Sequence, residues 1–416
     1  MDMIKHNIVY NPVVDWRFDL GKAEGSYLWD KEGKKYIDFS SGWNTTNLGW
    51  NNPEVNEAVA AQSKKNVYAP MWTADEAQIE YAQALTNAFP QQLDCVCRAT
   101  GGTEANEMAL KIARAVTGRQ QIVSFAHTYH GQSFGTLALG FIPAYVKAIA
   151  PLVPEFIQLD YPNAYGSKES EQTILNTFIE KLEEVLKTEK VAAVFTEPGL
   201  ITGWGSMLVA PKGYLTAVRK LTEKYGTLLV VDEVGSGFSR TGKLFGIEHE
   251  NVVPDIVTLA KGISNGAAAI GAVVTKSALV EEHAGAFKPT ATFGWTPLAC
   301  ATALKTLQIH QRDKVWEEAE RKGQLVKSML MSELDGNPNM KNLRGWGLEV
   351  AFDISQENKD GEDNSDLSTT IISKCFESGL HMADAGDCIQ IMPPLTTSDS
   401  DLEEGITTLI NVIKNL

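Results

Sequence analysis

Residues 227–261 constrain this chain more than any other stretch. An apolar run, Thr227-Leu228-Leu229-Val230-Val231, stops on Asp232-Glu233. A glycine-rich turn follows (Gly235-Ser236-Gly237-Phe238-Ser239-Arg240-Thr241-Gly242), and then a second apolar run, Pro254-Asp255-Ile256-Val257-Thr258-Leu259-Ala260, stops on Lys261-Gly262. Short runs rich in β-branched residues and bounded by turn signals read as strands buried in a parallel sheet. An acid closing one such strand and a lysine closing another then lie at the carboxyl edge of the sheet, where open α/β folds place ligands. The stretch predicts a site built on one buried carboxylate and one buried amine.

The alternation continues on the amino-terminal side. Apolar residues at helical spacing (Ile79, Ala82, Leu85, Ala88) predict a helix over 75–89, and Ala105, Met108, Ala109, Ile112 and Ala113 another over 104–116. Further helices are expected over 171–186 and 214–225, with strands over 94–100, 121–125 and 191–196. Repetition of this kind marks a mainly parallel sheet covered by helices on both faces.

Residues 1–60 read as irregular and hairpin-like. Strands over 26–29 and 35–39 flank Asp30-Lys31-Glu32-Gly33, a loop covers Ser40-Ser41-Gly42-Trp43-Asn44, and a helix begins at Pro53. After Lys261 come a strand over 271–275, a helix over 297–310, another ending near Leu334, strands over 347–354 and 388–392, a helix over 368–377 and a closing helix. This is a smaller α+β unit. The acidic run at 356–363 is expected to be a solvated loop rather than a cation site.

A formal charge of −15 argues against nucleic acid and anionic membranes as partners, since both attract positive surfaces. The apolar stretch 267–274 is far too short to span a bilayer, and residues 1–11 carry no apolar run, so a cytoplasmic enzyme without a leader is expected. Five cysteines form no paired framework. Cys95 and Cys97 are either a metal pair or, more simply, two residues on one face of a strand. No metal site is expected.

Candidate chemistry collects at strand ends. Gly101-Gly102-Thr103 leads from a strand into a helix. Glycines admit a close ligand, and the unpaired N–H groups of the first turn favour an anion. The alternative is a plain structural turn in which Thr103 caps the helix, with Asn106 at its N3 position. Neither a P-loop nor a Gly-x-Gly-x-x-Gly pattern is present there. Tyr129-His130-Gly131 supplies an aromatic able to stack on a flat ring and a histidine able to hydrogen-bond, or else ordinary packing. Glu197-Pro198 adds an acid at the same edge. A phosphate cup, a stacking aromatic, a strand-end acid and a strand-end lysine together suit pyridoxal 5'-phosphate. That flat phosphorylated ring forms a Schiff base with lysine, and its nitrogen needs an acid partner.

At this point the chain resembles a known family. Leu229 to Val234, Gly237 to Gly242 and Pro254 to Gly262 are similar to the signature of class III, or ω-type, pyridoxal-phosphate-dependent aminotransferases of fold type I. Gly102-Thr103-Glu104-Ala105-Asn106-Glu107, Tyr129-His130-Gly131, Glu197-Pro198, Thr292-Phe293-Gly294, Arg344-Gly345 and Pro393-Pro394-Leu395 match further family motifs. The resemblance implies an α/β fold: a large domain (61–310) with a mainly parallel seven-stranded sheet, and a small α+β domain (311–416) packed with an N-terminal segment (1–60).

It also implies roles. Lys261 forms the Schiff base and carries a proton, while Asp232 pairs with the ring nitrogen. Val234 and Tyr129 cover the ring faces, with His130 and Glu197 beside it. Gly102 and Thr103 take the phosphate, completed by Thr292 from a second subunit of a homodimer, or of a tetramer of such dimers. The expected reaction is ping-pong transfer of an amino group from an amine or ω-amino acid to a 2-oxo acid, pyruvate or 2-oxoglutarate. The rival is an epimerase, racemase or amine lyase on the same scaffold.

Two departures from the family pattern bear on the substrate. Gln390 stands where members acting on α-amino acids carry a carboxylate-gripping arginine. Trp295-Thr296 stands where many members have Gly-Asn and is expected to narrow the region near the phosphate or its entrance. Trp43, Trp72 and Trp204 lie in loops that either wall the substrate pocket or pack elsewhere.

Overall fold

A buried seven-stranded sheet organises the computed structural model, which describes residues 4, 5, 7–9, 18–140, 144–203, 207–354, 367–384, 386 and 388–416. Its strands run in the order Cys95–Ala99, Gly271–Thr275, Ile256–Leu259, Leu228–Asp232, Val191–Thr196, Gln121–Phe125 and Phe156–Leu159. Six strands point the same way, and Gly271–Thr275 is antiparallel to both of its neighbours. That reversal follows from the connection: the few residues between the turn Lys261–Ser264 and Gly271 leave no room for the crossover that a parallel neighbour requires. The three strands Val191–Thr196, Leu228–Asp232 and Ile256–Leu259 are buried at every position, as continuous Val, Ile and Leu runs demand when helices cover both faces.

Helix Gly102–Thr117 lies across one face, burying Ala105, Met108, Ala109, Ile112 and Ala113 against Ile122, Phe195, Val230, Ile256 and Val273. Its alanines let the helix approach the sheet closely. The opposite face packs on Tyr81, Leu85, Phe178, Leu182, Tyr214 and Val218, from helices Glu76–Asn87, Glu171–Leu186 and Tyr214–Lys224. Asp75 and Gln78 form a reciprocal cap on the first of these.

A separate core joins the two ends of the chain. Ile37, Phe39, Leu48 and Val55 pack with Leu348, Val350, Phe352, Ile371, Ile391, Leu402, Ile406 and Leu409. Strand Lys35–Asp38 pairs in parallel with Leu380–His381, and Lys341–Trp346, Glu349–Asp353 and Cys388–Ile391 form a three-stranded antiparallel sheet. Cys95 and Cys97 pack into the hydrophobic layer under helix Gly102–Thr117, which is the plain reading of their spacing. The acidic run 356–363 lies outside the described residues. Among the described residues no helix is long and apolar enough to cross a membrane.

Candidate active site

The carboxyl ends of the parallel strands open onto a cavity of about 490 Å³, within the range of small-molecule sites. Gly102, Thr103, Tyr129, His130, Glu197, Asp232, Val234 and Lys261 all line it, so the strand-end residues singled out from the sequence do converge.

Asp232 is the best-fixed group. It is the last residue of its strand and almost fully buried. Its Oδ1 accepts from the Val234 N–H at 2.8 Å, and its Oδ2 accepts from Asn106 Nδ2 at 2.8 Å while lying 2.7 Å from His130 Nδ1. Asn106 Nδ2 also donates to the His130 carbonyl at 2.7 Å, tying the acid, the histidine and helix Gly102–Thr117 into one unit. The His130 ring stands edge-on to Phe195, which limits its rotation.

Asn106 is the residue that sequence reasoning under-read. It looks like a capping position, but the helix is capped by Gly101, which has no side chain to offer, and Thr103 is the second residue of the helix rather than its cap. The N-cap reading of Thr103 is therefore replaced: the first-turn N–H groups are left for a ligand. A Cβ on Gly102 would sit 3.0 Å from Val234 Cγ1, so glycine is what lets that helix end and Val234 share one wall.

Lys261 follows its strand through an extended Ala260 and then takes φ +49°, a left-handed conformation that costs a non-glycine residue energy and is typical of functional turns. Burial lowers the pKa of its amine, and the charges of Asp232, Glu197 and Glu349 pull it back up. The net direction favours the neutral, nucleophilic amine. Glu197 is held by the Thr202 N–H at 2.7 Å and the Thr202 hydroxyl at 2.6 Å, both on Oε2, while its Oε1 has no partner. Burial, with Asp232 adding to it, raises the pKa of Glu197 to about 7.

The loop read from Ser40 to Asn44 is a single left-handed turn. Ser41, Gly42, Trp43 and Asn44 have φ of 42°, 59°, 61° and 63°. Each non-glycine residue there costs roughly 1–2 kcal/mol. The turn is held by Asp38, which accepts from Ser40 N, Ser40 Oγ, Ser41 N and Trp50 Nε1 and pairs with His381. Trp43 is half-buried and outside the cavity lining, whereas Thr45 just after it lines the cavity.

The other candidates separate. Trp72 is 82% exposed and Thr292 is exposed; neither lines the cavity within one chain. Trp204 lies outside the described residues. Gln390 is buried, with Oε1 unpartnered and Nε2 near Cys388 Sγ. Trp295 corrects an expectation. It does not narrow the phosphate region but is buried in the core, donating Nε1–H to the Gly271 carbonyl at 2.7 Å and packing on Tyr81.

A phosphorylated planar ring fits this cavity. The uncapped helix start suits a phosphate, the Val234 wall and Tyr129 flank a slot, and Asp232 presents a buried carboxylate to a protonated nitrogen.

Comparison with known proteins places these features in context. The model of the family described as Aminotransferase class-III matches residues 9–413. The acetylornithine aminotransferase of Methanopyrus kandleri is 33% identical over 398 residues, covering 95% of this chain and 94% of that protein. A thermostable (S)-enantioselective omega-transaminase from Thermomicrobium roseum superposes with a TM-score of 0.89 at 32% identity, covering 96% of this chain and 93% of the other. The taurine:2-oxoglutarate aminotransferase of Bifidobacterium kashiwanohense, solved with PLP and glutamate, gives 0.90 at 29% identity over the same shares, 96% and 93%.

Proposed function

This chain belongs to the class III aminotransferases, pyridoxal-phosphate-dependent enzymes of fold type I, and from that premise we propose that Lys261 and Asp232 carry its reaction on amines and ω-amino acids. The observation that carries this reading is the locked Asp232–Asn106–His130 group at the same sheet edge as a half-buried lysine in a left-handed conformation.

Pyridoxal phosphate, when bound, supplies an electron sink for the carbon from which a proton is removed. The residues of the chain do the rest. Gly102 and Thr103 would hold the phosphate at the helix start, Val234 and Tyr129 would cover the ring faces, and His130 and Glu197 would border it. Asp232, unable to turn away from its three partners, would keep the ring nitrogen protonated. Lys261 Nζ would hold the cofactor through its amine and, once displaced by the donor's amine, would take the proton from the carbon bearing the donor's amino group.

The donor class follows from which cations are free to bind a carboxylate. Gln390 carries no charge. Arg240 spends its guanidinium on the carbonyls of Leu348 and Pro393, Ser41 Oγ and Asn47 Oδ1, and Arg344 on the carbonyls of Met207 and Asn342 and on Asp353. On the ground that position 390 offers no charge, the favoured donors are simple amines or ω-amino acids, and the 2-oxo acid acceptor, pyruvate or 2-oxoglutarate, takes its carboxylate contacts elsewhere in the site. A kinetic panel tests this: the best amine or ω-amino acid exceeds every α-amino donor in kcat/KM, and the reverse ranking sinks the proposal. Gln390→Arg should raise kcat/KM for glutamate about ten- to a hundredfold relative to simple amines, the worth of one charge-assisted pair. An unchanged ratio in a folded variant counts against Gln390 as the selector.

The active unit is a cytoplasmic homodimer, with 61–310 as the cofactor-binding domain and 1–60 and 311–416 forming the small one. Supporting this, Val67, Tyr68, Trp72 and Phe293 are exposed large side chains, with the rings of Tyr68 and Phe293 6.0 Å apart and Thr292 beside them. Thr292→Ala should weaken cofactor affinity about tenfold while leaving the sedimentation coefficient of a dimer, the cost of one lost phosphate hydrogen bond. A monomer with full affinity would contradict the shared site.

A further inference from the structure

The lysine turn is braced from behind by groups with no part in the reaction described above. Gly262, next to Lys261, is packed so closely that a Cβ there would lie 2.8 Å from Asn47 Nδ2 and 3.1 Å from Phe238 Cβ. Asn47 is itself pinned: Nδ2 donates to the Phe238 carbonyl at 2.9 Å, and Oδ1 accepts from Arg240 Nη2 at 2.8 Å. Arg240 is fully buried, and its Nε faces Glu349 Oε2 at 3.8 Å. Glu349 is also fully buried. Neither of its oxygens, nor Arg240 Nε, makes a hydrogen bond of good geometry, and the nearby Asn44 amide faces Glu349 without reaching one.

Three distant stretches thus meet behind one lysine: the left-handed turn and Asn47 near the amino terminus, the glycine-rich turn after Asp232, and strand Glu349–Asp353 of the small sheet. Stability alone does not account for this arrangement. A buried ion pair without full hydrogen bonding is at best neutral against an apolar pair of the same size. Unpartnered polar atoms on Glu349 and at Arg240 Nε add further cost.

The geometry points to Glu349 as a positioning residue for Lys261: paired with Arg240, whose guanidinium holds Asn47 against Gly262, it fixes the turn that aims the lysine and sets a negative charge behind its amine. This rests on the assignment of Lys261 as the cofactor-binding lysine.

The signs follow from the charges that face each group. Lys261 faces Asp232, Glu197 and Glu349, all of which raise its pKa against burial. Glu349 faces Arg240 and Lys261, and Arg240 also faces Asp38. Burial raises Glu349 to about 7, with Arg240 pulling it down. Its charge therefore supports the lysine's proton above about pH 7 and fades below it. Removing the charge lowers the proton affinity of Lys261.

The test uses the enzyme loaded with pyridoxal phosphate. Its visible absorbance is titrated with pH, and borohydride reduction followed by peptide mass mapping locates the labelled lysine. Glu349→Gln should move the spectral midpoint down by about half to one pH unit, while Glu349→Asp, which keeps the charge, should restore most of the shift. A folded, labelled Glu349→Gln protein with an unmoved midpoint overturns this proposal alone. Absence of label on Lys261 in the unaltered enzyme overturns the lysine's assignment and this proposal with it. If Glu349→Gln fails to fold, Asn47→Ala carries the test. It keeps the ion pair but removes the contact on Gly262, and should slow capture of pyridoxal phosphate by the apoprotein several-fold. Unchanged capture refutes the brace.

Discussion

Lys261→Ala should lose on the order of 10⁴-fold in kcat for transamination, the upper range for a positioned acid–base group. The same change removes the amine that captures the cofactor carbonyl, so borohydride should no longer label the active-site peptide. Folding should survive. The site already holds a non-glycine residue at φ +49°, and alanine meets the same backbone strain without a larger side chain. Burial already lowers the pKa of the deleted amine, so its loss removes a charge that the site disfavours. Measured kcat, far-ultraviolet circular dichroism and label mapping on one preparation check all three statements. A variant retaining more than about a tenth of the activity would remove Lys261 from the chemistry.

Asp232→Asn should cost on the order of 10³-fold in kcat, for two separable reasons. An amide cannot balance a protonated ring nitrogen, so the electron sink weakens. The amide also collides with its own support. Val234 N–H donates to Oδ1 and Asn106 Nδ2 donates to Oδ2, so whichever way the new side chain turns, its NH₂ faces a donor. One buried mismatch of this kind costs about 1–3 kcal/mol. Cofactor affinity should therefore fall along with kcat. Asp232→Glu keeps the charge but overfills the pocket and should recover part of the rate. If Asp232→Asn kept both kcat and affinity within about threefold of the parent, the ring-nitrogen role would be wrong.

Strands were legible where the sequence is locally unambiguous. Val191–Thr196, Gln121–Phe125 and Gly271–Thr275 fall where β-branched runs between turn signals put them, and Asp232, Glu197 and Lys261 end up at one edge because parallel topology sends them there. Strand Phe156–Leu159 escaped notice, being four residues at the sheet edge with no alternation to mark it.

What local pattern could not carry were roles fixed by distant partners. Asn106 resembles a capping residue until Asp232, 126 residues away, is seen beside it. Trp295, in a stretch of threonine, glycine and proline, resembles a pocket wall until Tyr81 and the Gly271 carbonyl claim it. Glu349 follows Leu348 into an apolar strand and gives no sign of its environment; only the meeting of three stretches puts Arg240 against it. Trp43 sits in a turn whose left-handed course depends on Asp38, His381 and Trp50. No local propensity predicts four successive residues in that conformation.

The most direct test of the account is a single half-reaction. Purified enzyme loaded with pyridoxal phosphate is mixed with a simple amine such as 1-phenylethylamine, with no 2-oxo acid present. The account predicts conversion of the cofactor to pyridoxamine phosphate, one equivalent of ketone per active site, and no further turnover until pyruvate or 2-oxoglutarate is added. Continued turnover or racemisation without an acceptor, with the cofactor spectrum unchanged, would contradict it.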